Sequence, residues 1–196
     1  VTSMNNLGIY AYYSYCGAEM YGYSTARIGN TSICDNGIDA GGCGVYLEYY
    51  EVGYDLYGSA QVFVGDTAIS GNHAVGDDNA PLTATGEGIY LYYNDCGSNT
   101  YDYSQATFGD VTMQNNLIDT DSNGIYLDYY DVGYYMYDSS DMVIGEIDIA
   151  GNNIDAASEA VYVYYDYVAY YMEDSDFPCE ATLNLGDISI CDNTIA

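Results

Sequence analysis

A six-residue phrase recurs five times along this chain of 196 residues, and its spacing limits the folds that the chain can adopt. The phrase starts with glycine or alanine, continues with a β-branched residue, a tyrosine and an aliphatic residue, and ends with a tyrosine or acidic residue followed by a tyrosine. It occupies residues 8–13, 44–49, 88–93, 124–129 and 160–165. Successive starts are 36, 44, 36 and 36 residues apart. A regular period of this length is typical of a chain built from stacked structural repeats.

Two further landmarks keep the same period. A glycine followed by a polar residue lies at Gly29, Gly65, Gly109, Gly145 and Gly186, and seven residues later an asparagine lies at Asn36, Asn72, Asn116, Asn152 and Asn193. Two departures predict insertions, a loop at 73–87 that contains Pro81 and a smaller one at 174–181. Residues 1–7 resemble residues 111–117, which predicts a partial coil at the N-terminus. We therefore predict one domain, 1–196, of about five coils.

Within each coil the apolar residues alternate with polar or aromatic ones. Ile9 and Ala11 fall on one side of such a segment and Tyr10 on the other, and the same holds for Val62 and Val64 further along the coil. β-Branched and aromatic residues dominate these segments, as is typical of strands. Equal strand-and-turn units can pair in register with the next copy, so the pattern predicts an all-β fold, a parallel β-solenoid whose coils advance by ~4.8 Å.

Stacking of equivalent residues predicts side-chain ladders. One tyrosine ladder contains Tyr10, Tyr46, Tyr90, Tyr126 and Tyr162; a second contains Tyr13, Tyr49, Tyr93, Tyr129 and Tyr165; a third contains Tyr21, Tyr57, Tyr101 and Tyr137. The recurring asparagines form a fourth ladder, whose side-chain amides can bond along the stack. The tyrosines could pack protomers together, stack on sugars or transfer charge, and we favour packing because tyrosine joins apolar area to a polar tip.

The turns around the asparagines resemble those of a known group. Residues 33–38, 149–154 and 190–195 read Ile-x-x-Asn-x-Ile, which is similar to the turn of right-handed parallel β-helix repeat proteins of the pectate lyase-like and surface-repeat types. Familiar members have shorter coils, so 36 residues imply longer faces, an extra strand or a flattened cross-section. The composition, rich in tyrosine and acidic residues, also resembles that of archaeal sheath or extracellular filament proteins.

Charge restricts the partners. The chain has 30 acidic residues, a formal net charge of −29, no lysine and a single arginine, Arg27. Such a surface repels nucleic acid and anionic lipid, because phosphates need basic side chains to displace their counterions. A hydrophobic fraction of 49% argues against disorder, and no apolar run approaches the ~20 residues of a membrane span. The expected partners are copies of the chain itself, cations or neutral glycans.

Few residues could support catalysis. The pectate lyase-like resemblance implies a basic residue beside acids or a metal, and only Arg27 and His73 are basic. Asp77 and Asp78, in the inserted loop, are similar to the paired aspartates of polygalacturonase-like hydrolases, in which two carboxylates divide acid and base roles. We predict a polar surface loop there and no enzyme activity. A polysaccharide-degrading or polysaccharide-binding β-helix protein is the alternative.

Acidic residues also stack. One column contains Asp66, Asp110, Glu146 and Asp187, and another contains Glu51, Asp95 and Asp131. Like charges that lie opposite one another destabilise a sheet, and Ca²⁺, which prefers carboxylate ligands, would relieve that repulsion. The first column is therefore a candidate calcium site, and a hydrated acidic face is the alternative. No other cofactor is expected.

The six cysteines fit an oxidising compartment. Cys16 and Cys96 share a column two coils apart, which is too far for a disulfide, so Cys43 and Cys179 are the better candidates for bridges, within or between chains. The chain begins at Val1 without methionine, which suggests a processed, secreted chain at the cell surface or outside the cell. Asn30 opens the one glycosylation sequon, Asn30-Thr31-Ser32.

A solenoid without caps leaves strand edges open at both ends, and an open edge can pair with another chain. The candidate assembly edges are Val1, Thr2, Ser3 and Met4 at one end and Ile188, Ser189 and Ile190 at the other. When one end of a copy stacks on the other end of the next copy, the series continues as a filament unless the copies close into a ring. The sequence therefore favours a structural subunit of an extracellular filament, sheath or surface layer that assembles head-to-tail.

Overall fold

The computed structural model of the chain describes residues 2–3, 7–73, 79–173 and 181–196, with side chains from residue 7 onward. Regular structure in these residues consists of 26 short β-strands, β1 to β26, and contains no helix. No helix in the described ranges is therefore available to cross a membrane. Each coil of the chain contributes one strand to each of five parallel sheets, which we call the first to fifth faces in the order in which a coil visits them.

The five faces consist of the following strands. The first face contains Ile9–Ser14 (β2), Val45–Tyr50 (β7), Ile89–Asn94 (β12), Ile125–Tyr130 (β17) and Val161–Asp166 (β22). The second contains Glu19–Met20 (β3), Asp55–Leu56 (β8), Asn99–Thr100 (β13), Tyr135–Tyr137 (β18) and Tyr171–Glu173 (β23). The third contains Thr25–Ile28 (β4), Gln61–Val64 (β9), Gln105–Phe108 (β14), Asp141–Ile144 (β19) and Thr182–Leu185 (β24). The fourth contains Thr31–Cys34 (β5), Thr67–Ser70 (β10), Val111–Gln114 (β15), Ile147–Ala150 (β20) and Ile188–Cys191 (β25). The fifth contains Thr2–Ser3 (β1), Asp39–Ala40 (β6), Leu82–Ala84 (β11), Leu117–Thr120 (β16), Asn153–Ala156 (β21) and Thr194–Ile195 (β26).

The predicted parallel β-solenoid of five coils is confirmed. Equivalent residues of successive coils pair directly, as in the series Tyr10, Tyr46, Tyr90, Tyr126 and Tyr162. The long coil is accommodated by additional strands, because five faces surround the core. Alternation along each strand sends one set of side chains inward, and the inward residues of the middle coils, such as Leu47, Leu91 and Leu127, are fully buried.

The corner between the first and second faces shows why turn residues recur. The residue after the first strand has a positive φ in every coil, at Tyr15, Glu51, Asp95, Asp131 and Tyr167. Two residues later the φ is positive again, usually at glycine. A side chain at Gly53, with a φ of 65°, would also contact Val62 Cγ2 at 2.8 Å. Backbone conformation and the close approach of the core therefore both favour glycine there.

The N-terminal strand, Thr2–Ser3, does not follow the expected alignment. Thr2 and Ser3 pair with Asp39 and Ala40 on the fifth face, whereas the comparison with residues 111–117 implied the fourth face. The reason is chain length: a ladder asparagine normally precedes the next coil by eight residues, as Asn36 precedes Gly44, whereas Asn6 precedes Gly8 by two. The short segment reaches the first face only if it starts on the fifth. A partial coil is present, but in another register.

The insertion in the second coil is partly strand. Within 73–87, Leu82–Ala84 forms β11 and pairs with the fifth face. Leu82 follows Asn72 by ten residues, whereas Ile38, its counterpart one coil earlier, follows Asn36 by two. The extra residues of this coil therefore fall between Asn72 and Leu82. Residues 174–180 of the smaller predicted insertion lie outside the described ranges.

Candidate functional site

The last coil exposes part of the hydrophobic core. Its inward side chains are exposed by 45% at Met172, 52% at Leu185, 48% at Ile188, 50% at Ile190 and 65% at Ile195. Their counterparts one coil earlier, Met136, Ile144, Ile147, Ile149 and Ile154, are exposed by 1% or less. The same residue types in the same columns are thus buried wherever another coil follows. We call this surface the open end.

The opposite surface of the solenoid is better covered. Of the inward residues in the first coil, Met20 and Ile33 are buried, and Ile9, Ala11 and Ile28 pack partly against the core. Each of the strands β1 to β5 is nevertheless the edge of its sheet, as β22 to β26 are at the other end. Of the predicted assembly edges, Thr2, Ser3, Ile188, Ser189 and Ile190 lie on these edges, and Val1 and Met4 lie outside the described residues.

The asparagine ladder runs through the whole stack with one direction. Each side-chain Nδ2 donates to Oδ1 of the asparagine in the next coil, with distances of 3.0, 2.8, 2.9 and 2.9 Å from Asn36 to Asn193. The backbone N–H of the same residues donates to that oxygen as well. Each Nδ2 from Asn72 onward also donates to a carbonyl of the preceding coil, such as Ile33 O. The buried amides are satisfied only by this repetition.

The direction of the ladder distinguishes the two ends. Asn193 is the last acceptor, and no described residue offers an Oδ1 for its own backbone N–H. At the other end, no described residue donates to Asn36 Oδ1. Within the described ranges the ladder therefore ends in donors at Asn193 and in an acceptor at Asn36. Two such ends are complementary to each other, and neither is complementary to itself.

The tyrosine ladder from Tyr13 to Tyr165 lies inside the solenoid. Its rings are stacked at centroid distances of 5.0, 4.8, 4.7 and 4.9 Å, with interplanar angles of 9° or less. Tyr49, Tyr93 and Tyr129 are fully buried. This ladder is part of the core, and only its two terminal rings, Tyr13 and Tyr165, have a face that no other ring of the ladder covers.

Hydrogen bonding divides this inner ladder into two parts. Tyr49 Oη contacts Thr31 Oγ1 at 3.0 Å and Thr67 Oγ1 at 3.2 Å. The threonine column continues as Val111 and Ile147, which cannot hydrogen-bond through their side chains. The hydroxyls of Tyr93 and Tyr129 are accordingly buried without a partner, and burial raises the pKa of both phenols. They stay protonated at any physiological pH.

The outer surface of the first face is a wall of aromatic and acidic side chains. Ten tyrosines point outward from its five strands: Tyr10, Tyr12, Tyr46, Tyr50, Tyr90, Tyr92, Tyr126, Tyr130, Tyr162 and Tyr164. We call these ten residues, with Glu48, Asp128 and Asp166 among them, the tyrosine wall. In its central column acids and tyrosines alternate, because Tyr92 pairs with Glu48 on one side and Asp128 on the other.

The carboxylates of the wall are unusual for a protein surface. Asp128 is only 8% exposed and its Oδ1 has no hydrogen-bond partner. Burial, reinforced by the charge of Asp166, raises the pKa of Asp128 to about 6, although the hydroxyl groups of Tyr126 and Tyr90 act to lower it. Burial also raises the pKa of Glu48, which accepts a hydrogen bond of 3.1 Å from Tyr46 Oη. The tyrosines therefore surround negative charge that they only partly satisfy.

Ring orientation separates the wall from the third ladder. Along Tyr10, Tyr46, Tyr90, Tyr126 and Tyr162 the interplanar angles are 51°, 81°, 40° and 27°. In the third ladder, Tyr21, Tyr57, Tyr101 and Tyr137, they are 5°, 4° and 7° at centroid distances of 5.1, 4.7 and 4.9 Å. Coplanar stacking along the third ladder covers its ring faces, whereas in the wall rings also stack within a strand, as Tyr90 does on Tyr92 at 5.6 Å and 20°.

The acidic column predicted to bind calcium is held by the backbone. Asp66 Oδ1 accepts a hydrogen bond of 3.2 Å from the Asp110 N–H, and Asp110 Oδ1 accepts one of 2.8 Å from the Glu146 N–H. Asn30, the sequon residue, is exposed and donates to Asp66 Oδ2 at 3.4 Å. Among the described residues no group of three or more acidic, histidine or cysteine side chains is arranged to hold a metal ion. Calcium binding at Asp66, Asp110, Glu146 and Asp187 stays a prediction.

The second acidic column, Glu51, Asp95 and Asp131, lies at the corner beside the wall. Burial, together with the charges of Asp131 and Glu51, raises the pKa of Asp95 to about 6. The pKa of Asp131 is raised for the same kinds of reason, burial first and then the charge of Asp166. One edge of the tyrosine wall is therefore lined by carboxylates that repel one another.

The cysteines occupy the columns expected from the repeat. Val52 separates Cys16 from Cys96 in one column, and Cys96 is fully buried. Cys43 carries a free thiol that donates to Glu87 Oε2 at 3.1 Å, and burial raises its pKa to about 12. Cys179 lies outside the described residues, so the proposed bridge between Cys43 and Cys179 stays a prediction.

The residues considered for catalysis do not form a described site. Arg27 is exposed on the third face and stacks on Phe63, with Cζ 4.0 Å from the ring centroid. His73 lines an open depression of about 530 Å³ with Asp35 and Asn115. Asp77 and Asp78 lie outside the described residues. Arg27 and His73 are therefore on different faces of the coil and belong to no common cluster among the residues placed.

Fold and ladders define the class of this protein as a parallel β-solenoid with tyrosine and asparagine ladders. No family model matches the chain, and neither a curated protein nor a solved structure is found to be similar to it. Its function must therefore be inferred from its own surfaces. One column was not predicted, although it lies two residues after the first ladder in every repeat: Tyr12, Glu48, Tyr92, Asp128 and Tyr164.

Proposed function

We propose that the protein is a structural subunit of an extracellular filament, sheath or surface layer, in which copies stack head-to-tail through the ends of the solenoid. The observation that carries the proposal is the open end. Five core side chains that are buried in the preceding coil are about half exposed there. A second copy would cover them with the inward residues of its first coil, and burial of apolar area is the main favourable contribution to such an association.

The columns at the two ends are compatible. In an in-register stack, Met172 would face Met20 of the next copy, Leu185 would face Ile28, and Ile190 would face Ile33. Apolar residues thus meet apolar residues. Open strand edges on four faces supply backbone donors and acceptors for the new layer of the sheets. On the fifth face, Thr2–Ser3 of the next copy and Thr194–Ile195 would occupy the same layer, so the N-terminal strand has to detach for the copies to stack.

The asparagine ladder supports one polarity. The donors at Asn193 would meet the acceptor at Asn36 of the next copy. If one copy were turned around, donors would face donors or acceptors would face acceptors. Heterologous contact of this kind continues from copy to copy, so the expected product is a polar fibre rather than a closed dimer. The formal charge of −29 would keep such fibres apart from one another at low ionic strength.

The likeness to pectate lyase-like β-helix proteins supports polysaccharide binding or degradation as the second function. The geometry supports it less. Coplanar rings of the third ladder leave few faces for sugar stacking, and the described residues around His73 offer one carboxylate, Asp35, rather than a pair. Assembly explains the exposed core of the last coil, and the glycan hypothesis does not.

Electron microscopy of two matched variants tests the assembly proposal. Leu185→Glu places a charge in the open end, and Asn184→Glu places the same charge on the outer surface of the same strand, where Asn184 is exposed. Fibres are expected from the parent chain and from Asn184→Glu, and only monomers from Leu185→Glu. Ile190→Glu should behave like Leu185→Glu.

Circular dichroism establishes that all variants keep their β-structure. The proposal is wrong if the parent chain stays monomeric at high concentration with and without Ca²⁺, or if Leu185→Glu and Asn184→Glu assemble equally well.

A further inference from the structure

The tyrosine wall is independent of the open end and of the stacking that we propose for it. It covers the outer side of the first face, whose strands are the longest in the molecule, at six residues each. Its tyrosines are most exposed in the first and last coils, by 52% at Tyr10, 45% at Tyr12, 37% at Tyr162 and 38% at Tyr164, and the six of the middle coils are half-buried. A broad, partly exposed aromatic surface of this kind is typical of an interaction site.

The chemistry of the wall favours a cationic partner. Three carboxylates, Glu48, Asp128 and Asp166, lie among its rings, the acidic column at its corner adds Glu51, Asp95 and Asp131, and no basic residue lies on it. Asp128 is more than nine-tenths buried, and its Oδ1 points into the aromatic surroundings without a hydrogen-bond donor. A second copy of this acidic chain would add more negative charge and supply no donor from lysine.

The ring geometry favours guanidinium among cations. Tyr92 stacks on Tyr90 with one ring face, at a centroid distance of 5.6 Å and an interplanar angle of 20°, and it lies between Glu48 and Asp128 in one column. A planar guanidinium can stack on a tyrosine face and donate to a carboxylate at the same time, whereas an ammonium group is a point charge. The chain's only arginine already shows this contact, because Arg27 stacks on the Phe63 ring of the next coil.

We infer that the tyrosine wall is a binding surface for an arginine-rich segment of a partner protein, in which guanidinium groups stack on the wall tyrosines and pair with Glu48 and Asp128. Acids and tyrosines alternate in the central column, so Glu48 and Asp128 lie two coils apart, at ~9.6 Å, with Tyr92 between them. Several arginines of one extended peptide can therefore bind at once, and the contacts reinforce one another through the effective concentration that linkage provides.

Fluorescence anisotropy with labelled octa-arginine and octa-lysine peptides tests this inference on the full chain at about 150 mM salt, where long-range attraction is screened. Octa-arginine is expected to bind about tenfold more tightly than octa-lysine, since both carry the same charge and only the guanidinium stacks. Equal affinities would show that the contact is only electrostatic attraction to an acidic protein, and would overturn the inference.

Two pairs of matched variants locate the site. Glu48→Gln with Asp128→Asn removes two charges from the wall, and Asp119→Asn with Asp155→Asn removes two from the exposed outer side of the fifth face. The first pair should weaken octa-arginine binding about tenfold and the second no more than about twofold. Equal losses from the two pairs would contradict a site on the wall.

The aromatic contribution has its own control. Tyr92→Leu should reduce the preference for octa-arginine over octa-lysine, and Tyr101→Leu, in the coplanar third ladder, should leave that preference unchanged. Circular dichroism and thermal unfolding identify any variant that fails to fold. The wall is lateral, so the measurement gives an answer whether or not the chain assembles through its ends.

Discussion

At the scale of single residues, Asp128 is a carboxylate that the repeat places in a buried position. It occupies an outward position that is tyrosine in three of the five coils, at Tyr12, Tyr92 and Tyr164, and the large neighbouring rings bury it. Burying a carboxylate costs free energy unless its oxygens are bonded, and one of them is not. Such a residue is retained at the expense of stability, which fits a role in binding.

The raised pKa of Asp128 predicts how stability depends on pH. Its value of about 6 in the folded chain lies above the ~4 of an unfolded aspartate, so the folded state holds the proton more tightly. The contribution of Asp128 is therefore most favourable below pH ~4 and is lost as the pH rises through ~6. Asp128→Asn should raise the free energy of unfolding by about 1 kcal/mol at pH 8, a figure reduced for contact with solvent, and by little at pH 4.

Denaturant unfolding at the two pH values measures this difference. Asp155→Asn, which removes an equal charge from an exposed position, is the control and should change stability by less than about 0.5 kcal/mol at both pH values. An equal gain for Asp128→Asn at pH 4 and pH 8 would mean that its ionisation is not the cause.

At the scale of the structural element, the features that repeat in every coil could be predicted from the sequence. The period placed equivalent residues in one column, and alternation placed Leu47 inside and Tyr46 outside, so fold class and ladders could be predicted. The number of faces could not, because the two-residue strands of the second face, such as Asp55–Leu56, are too short to show an alternation. Neither the burial of Asp128 nor the ring tilts of the wall could be predicted, since both depend on how neighbouring side chains fill space.

Close packing between coils makes some glycines necessary. A Cβ at Gly88 would lie 2.6 Å from Gly124 O and 2.4 Å from Ile118 Cγ2, whereas one at Gly29 would meet nothing within 4 Å. Gly88→Ala should therefore lower the free energy of unfolding by about 2 kcal/mol, because a backbone oxygen cannot move aside without disturbing the sheet. Gly29→Ala should be neutral or slightly stabilising. Thermal unfolding compares the two, and similar midpoints would contradict this account of the packing.

At the scale of the whole molecule, the same glycine column bears on the proposed assembly. Each coil but the last begins this column with glycine, and the last has Ala160. A Cβ at Gly124 would approach Ala160 O at 2.6 Å, so side chains in this column are excluded by the coil that follows. Ala160 lies on the edge strand of the last described coil, where no carbonyl of a further coil approaches its methyl group. In a head-to-tail stack its methyl group would meet the Gly8 carbonyl of the next copy, and the joint would have to open locally.

Replacing that alanine by glycine should therefore strengthen assembly. Ala160→Gly removes the contact only at the joint, so it should lower the critical concentration for fibre formation several-fold, as expected for relief of about 1 kcal/mol of overpacking. Its effect on the monomer should be smaller, because an edge coil has room for the methyl group. Sedimentation of fibres from a dilution series measures the critical concentration for the parent chain, for Ala160→Gly and for Ala157→Gly, a substitution of the same kind in the nearby loop. If Ala160→Gly and Ala157→Gly change it equally, copies do not stack in the register of the coils, and the fibre, if one forms, is built through another surface.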